Sequence, residues 1–200
     1  MSRNVTLIVL IFLAALSRLV PHPPNFAPIA AVGLFGAAQF RWKWQAFLAP
    51  LAAMLLSDFA LGFFVQLRVY EGWMAMTEGF HRGSIVVYAT YALITAMGFI
   101  LRKNRGVPLL VGTSLASSVI FFVVTNFAVW AADSLYPTTL AGLMTCYVAA
   151  IPYFQWTVLS DLCYVALLFG CFAWAERHYP SLRLALAPGG GADLPDTRGA

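Results

Sequence analysis

Six apolar runs divide this chain, at about Val5–Val20, Phe26–Phe40, Ala46–Phe64, Ser84–Leu101, Val107–Ala132 and Phe154–Ala175. A helix that crosses a bilayer needs about 20 predominantly apolar residues, within a range of roughly 17–25. The pattern therefore predicts an all-α integral membrane fold, a bundle of about six transmembrane helices. The first two runs are short and flank Pro21-His22-Pro23-Pro24, which reads as the turn of a tight hairpin. Asp133–Tyr153 is read as too polar at its start, and too broken by Pro137 and Pro152, to span. Within it, Leu140–Ile151 is expected as a separate short interfacial or re-entrant helix. Residues 1–179 are expected to form the transmembrane domain and residues 180–200, with Gly189-Gly190-Gly191, a disordered cytoplasmic tail.

Composition excludes the main alternative. The 200 residues are 61% hydrophobic and 10% charged, whereas a soluble domain carries roughly a quarter charged residues. The net charge of +4 is scattered among apolar segments rather than gathered into a basic patch, so no nucleic-acid partner is expected. The basic residues instead report orientation. With both termini cytoplasmic, the inner side holds Arg3, Arg41, Lys43, Arg102, Lys103, Arg105, Arg177, Arg183 and Arg198, nine of the 12. Arg18, Arg68 and Arg82 are left outside, the asymmetry that the positive-inside rule requires. Trp42, Trp44 and Trp174 then fall at inner ends and Trp73, Trp130 and Trp156 at or beyond outer ends, as an aromatic belt. Arg3 followed by Val5–Leu16 also fits a signal peptide, but no Ala-x-Ala site follows, and the segment is read as retained. Cys146, Cys163 and Cys171 are read as small packing residues, since two turns of helix separate the last two.

Ionisable groups in hydrocarbon are unfavourable by a few kcal/mol each, so they usually face a bundle interior and mark a site or pathway. Here they gather toward the outer side. Arg18 ends the first run, Asp58 lies two-thirds of the way out along the third, Asn126 and Asp133 lie late in the fifth, and Asp161 lies in the outer third of the sixth. Arg18 is expected to pair with Asp58 or Asp161. Helical spacing adds three stripes: Ser84, Tyr88, Tyr91 and Thr95; Ser114, Ser118, Asn126, Trp130 and Asp133; and Thr157, Asp161 and Tyr164. Aromatic rings among a few hydrogen-bonding groups suit a small, partly planar organic ligand. The same residues also serve as interhelical ties. Ala27–Ala31, Gly33–Ala37 and Ala49–Ala53 are small-xxx-small pairs that either receive a partner subunit or pack the second and third runs together. Residues 65–83 are long enough to close over an outer pocket, and His22 and His81 lie on that side without forming a metal-ligand pattern. No nucleophile elbow, phosphate-cradling loop, HExxH or CxxC is present, so neither an enzyme nor a cofactor is expected.

Several segments look familiar as a set: Arg18-Leu19-Val20-Pro21-His22-Pro23-Pro24-Asn25-Phe26-Ala27-Pro28, Ser57-Asp58, Thr125-Asn126-Phe127-Ala128-Val129-Trp130, Tyr136-Pro137, Gly142-Leu143, Cys146-Tyr147, Ala149-Ala150-Ile151-Pro152 and Asp161-Leu162. From Arg18 to Gly170 the chain resembles a family of small, functionally uncharacterised bacterial membrane proteins. In size, span number and outer polar residues that family is similar to the S-components of energy-coupling-factor vitamin transporters. The resemblance implies a bacterial inner-membrane subunit that binds a vitamin or similar micronutrient. It also implies a transmembrane coupling subunit and cytoplasmic ATPases as partners. S-components carry an Ala-xxx-Ala pair on their first helix, where this chain has Ala14, Ala15 and then Arg18. Candidate ligand contacts are Arg18, Asn25, Asp58, Asn126, Trp130, Asp161 and Tyr164, with the Arg, Asp and Asn side chains anchoring and the two rings stacking.

Overall fold

In the computed structural model, which describes residues 2–69, 83–132 and 134–183, six α-helices account for most of the chain. They are α1 (Arg3–Leu16), α2 (Ile29–Gln39), α3 (Lys43–Gln66), α4 (Ser84–Met97), α5 (Val107–Ala132) and α6 (Leu140–His178). Short 3-10 turns extend α1 (Ser17–Leu19) and α4 (Gly98–Arg102), and a third, Pro180–Leu182, follows α6. Among the described residues, four helical segments are long and apolar enough to cross a membrane: α3, α4 with its extension, α5 and α6.

The centre of the bundle is α2, whose ten residues from Ala30 to Gln39 are all buried. A helix apolar on every side has to be enclosed on every side, and α3, α4 and α6 surround this one. Glycine makes the enclosure close. A Cβ at Gly33 would meet Thr95 Oγ1 at 2.7 Å, and one at Gly36 would meet Pro50 Cγ at 2.7 Å. From the other side, a Cβ on Gly98 would lie 2.9 Å from that of Ala37. Phe35 completes the core by meeting Phe169 and Phe172 of α6 edge to face, at 5.3 and 5.7 Å. The small-xxx-small pairs thus serve internal packing. Ala31 is 0% exposed, so Ala27–Ala31 offers no docking motif at the surface.

The second apolar run is not one helix from Phe26 to Phe40. Helix begins only at Ile29, because Pro21, Pro23, Pro24 and Pro28 remove donors and Asn25 takes a left-handed conformation, φ 63°. Eleven residues rise about 16 Å, half the ~30 Å of a bilayer's hydrocarbon. The expected break at Pro152 is also absent, since Leu140–Ile151 and Phe154–Ala175 join in the 39 residues of α6. Pro152 is exposed, and a proline inside a helix forgoes one backbone hydrogen bond. Phe122 of α5 packs on Tyr147 and on Phe154, at 5.6 and 4.8 Å, and so clamps α6 on both sides of the proline.

Arginines close the C-terminal end of α2, where helix geometry leaves four carbonyls without partners and a partial negative charge. Arg102 donates to Ala37 O and Phe40 O at 2.9 and 2.7 Å, and Arg105 to Ala38 O at 3.1 Å. Arg3 donates to Gln39 O at 3.0 Å and pairs with Glu176 at 2.7 Å. Residues read from sequence as orientation signals are therefore also the cap of the buried helix.

Polarity runs from inside to outside. On α5, Ser114, Ser117 and Ser118 are 0% exposed, while Val107, Val111, Leu115, Val119, Val123 and Phe127, at every fourth position, are exposed.

Candidate functional site

At the end of the bundle away from the arginine cap, the polar residues singled out in sequence form two linked groups. The first is centred on Asp58, in the fifth turn of α3. Arg18, held by the 3-10 turn that ends α1, donates through Nη1 to Asp58 Oδ1 and to Ser57 Oγ, both at 2.7 Å. Tyr88 of α4 donates its hydroxyl to the other carboxylate oxygen at 2.5 Å. Both oxygens of Asp58 are thus engaged, and both members of the ion pair are almost completely buried. An ion pair taken out of water persists only when further hydrogen bonds satisfy it, and Ser57 and Tyr88 supply them. Of the two expected partners for Arg18, Asp58 is the one adopted.

The second group lies between α5 and α6. Asp161, 2% exposed, accepts from Ser118 at 2.6 Å and makes no ion pair among the described residues. Ser114, one turn from Ser118, is fully buried, and its hydroxyl has no hydrogen-bond partner among the described residues. Ser160, beside Asp161, donates to Ala27 O at 2.6 Å, just before α2 begins. Tyr164, one turn further along α6, shares a hydrogen bond of 2.7 Å with Ser17 and lies 6.0 Å from the ring of Phe26. Since Ser17 precedes Arg18, Tyr164 connects the two groups.

The remaining candidates sit apart. Asn126 donates to Phe122 O of its own helix at 2.8 Å, and Trp130 donates to Pro137 O at 3.0 Å across the α5–α6 connection. Asn25 is exposed in the proline-rich segment. His22 hydrogen-bonds to Pro23 O through Nδ1. Asp133, His81 and most of the expected lid, residues 70–82, lie outside the described residues. A cleft of about 410 Å³, lined by Arg105, Ala173, Glu176, Arg177 and Arg183, opens at the opposite, basic end.

Sequence reading named the charges but passed over some of the hydroxyls that hold them. Ser17 and Ser57 are sequence neighbours of Arg18 and Asp58, and Tyr88 and Ser118 stand on stripes already marked as polar. Adjacency and periodicity were the available signals.

Over the described residues, fold and polar centre together define an all-helical protein with four membrane-length helices and a buried charged cluster. The chain belongs to DUF6580, a family of unknown function whose model matches residues 1–182. No curated protein and no solved structure matches it. The comparisons thus fit the resemblance to an uncharacterised family and lend none to the likeness with vitamin S-components.

Proposed function

We propose that this chain is a multi-pass protein of the bacterial inner membrane, with both termini cytoplasmic. Its outer polar groups form a binding site for a small organic micronutrient such as a vitamin, taken up in the manner of an S-component. The membrane reading draws on the inverted polarity of α5. Six apolar side chains facing outward over five turns, with serines inward, suit lipid and would form an aggregation-prone patch in water. The basic end then lies in the cytoplasm.

One observation carries the binding reading: α2 is a half-length helix that starts inside the bundle beside buried polar side chains. Its N-cap, Pro28, makes no side-chain capping bond, so the first-turn N–H groups and the positive end of the helix dipole point toward the level of Ser160 and Asp161. Transporters hold substrates and coupling ions at such helix discontinuities near the membrane midplane. The unpartnered Ser114 hydroxyl supports a ligand at this level, because buried hydroxyls are normally satisfied. Phe26 and Tyr164 supply aromatic surface for a planar group. Energy for uptake would come from a transmembrane coupling subunit with cytoplasmic ATPases.

A second reading, favoured by the pairing of Arg18, Asp58, Asp161, Trp130 and Tyr164 within the chain, makes these residues interhelical ties in a protein that transports nothing. Native mass spectrometry of protein extracted gently from membranes separates the two. Binding predicts a retained small molecule of defined mass, lost in Asp161→Asn and Tyr164→Phe while unfolding temperatures stay close to that of the parent. Ties predict only lipid in every preparation and lower unfolding temperatures in both variants, and that outcome would sink the binding reading.

A further inference from the structure

Among the described residues the basic end carries eight cations, Arg3, Arg41, Lys43, Arg102, Lys103, Arg105, Arg177 and Arg183, against one carboxylate, Glu176. Arg3 already holds that carboxylate at 2.7 Å, and Arg3, Arg102 and Arg105 are committed to carbonyls of α2. Arg177 and Arg183 are exposed, the latter steadied by a bond from Nε to Glu176 O at 3.1 Å. Between them and Arg105 lies the cleft of about 410 Å³, a volume that suits a head group rather than a bare ion. Beside it the surface turns apolar. Val107, Val111 and Leu115 of α5 are 72%, 40% and 40% exposed, and Trp174 of α6 is 59% exposed. At Gly170 of α6 the surface is open, with nothing within 4 Å of where a Cβ would stand.

We propose that this cleft binds the phosphate of an anionic lipid head group, with the acyl chains along the exposed face of α5 and α6. Basic pockets between helices at the cytoplasmic side are suited to such head groups, each cation contributing electrostatic attraction to the anionic lipid. Arg177 and Arg183 supply free guanidinium donors to the phosphate oxygens, and Arg105 adds charge from the wall. Free inorganic phosphate offers the same oxygens but none of the apolar contact. The inference rests on the membrane reading and not on the outer ligand site.

The test uses the full chain in nanodiscs of phosphatidylcholine with a minor fraction of phosphatidylglycerol. Native mass spectrometry after release from the disc reads the lipids that stay bound. Phosphatidylglycerol is expected to be enriched over its bulk fraction, and Arg177→Gln and Arg183→Gln to lower the enrichment about fivefold each. Both positions are exposed, and thermal unfolding verifies that the variants are folded. Added inorganic phosphate should leave the enrichment unchanged. Equal retention of the two lipids, undiminished enrichment in the double variant, or displacement by inorganic phosphate overturns the proposal. Carbonate extraction distinguishes the two levels. A protein that stays in the membrane pellet but shows no anionic preference loses only the lipid site, while one released to the supernatant loses both.

Discussion

Asp58 accepts from Arg18 and Tyr88 while Ser57 takes a second bond from the same guanidinium nitrogen. Removing one partner of a buried pair leaves an uncompensated charge, worth about 3–5 kcal/mol. Asp58→Ala is therefore expected to lower unfolding free energy in micelles by that order. Arg18→Met/Asp58→Leu, which removes both charges, should recover most of it, and a double variant no better than Asp58→Ala would contradict the assignment. Arg68 is a milder case. It ends α3 at φ 54°, with Val69 N bonded to Phe64 O and Arg68 N to Val65 O, both at 3.0 Å, a terminating motif that favours glycine at this position. Arg68→Gly is expected to raise stability by up to about 1 kcal/mol, measured by thermal unfolding. At the basic end, burial lowers the pKa of the Arg105 guanidinium, which the Glu176 carboxylate opposes and the Arg3 charge reinforces. Glu176 thus steadies a crowd of like charges.

Among the elements, α2 decides how the rest pack, and its glycines decide how closely. Gly33→Ala places a methyl 2.7 Å from Thr95 Oγ1, and overpacking of this kind is unfavourable by about 1–3 kcal/mol. Among the described residues the Thr95 hydroxyl bonds only to Tyr91 O of its own helix, at 2.9 Å, so Thr95→Ala should be tolerated and should rescue Gly33→Ala in the double variant. Additive losses in that cycle would show that the two sites do not touch. The proline rules applied in sequence worked at one place and failed at another. Pro21, Pro23, Pro24 and Pro28 do keep the chain out of helix until Ile29. Pro152 does not, because Phe122 holds α6 on both sides of it, and no local pattern reveals a clamp 30 residues away.

For the whole molecule, orientation is the property that most directly joins sequence to membrane. In a cysteine-free background, Ser2→Cys and Lys103→Cys at the basic end are expected to react with a membrane-impermeant thiol reagent only after the cells are opened. Leu67→Cys at the far end should react in intact cells. The reverse pattern would invert the topology and place the lipid cleft on the wrong leaflet. The Arg18–Asp58 pair was legible because opposite charges at similar depth in apolar helices have strong reason to meet. Asp161 was legible as buried, but its partner Ser118 was not, since any of several stripes supplies a hydroxyl at that level.

The sequence by itself determined the helical class, the basic end and the identity of the buried charges, and of the six spans it led one to expect, four are helices of membrane length among the described residues. Hydrophobic run length and the energetic penalty of charge in an apolar medium act locally or along one helix, so they can be read along the chain. Only the tertiary structure decided that α2 is a short enclosed helix, that arginines at positions 3, 102 and 105 cap it, and that α6 runs unbroken. Each of these depends on groups far apart in the chain satisfying one another's backbone atoms or packing on one another's rings, and no local pattern in the sequence specifies such a meeting.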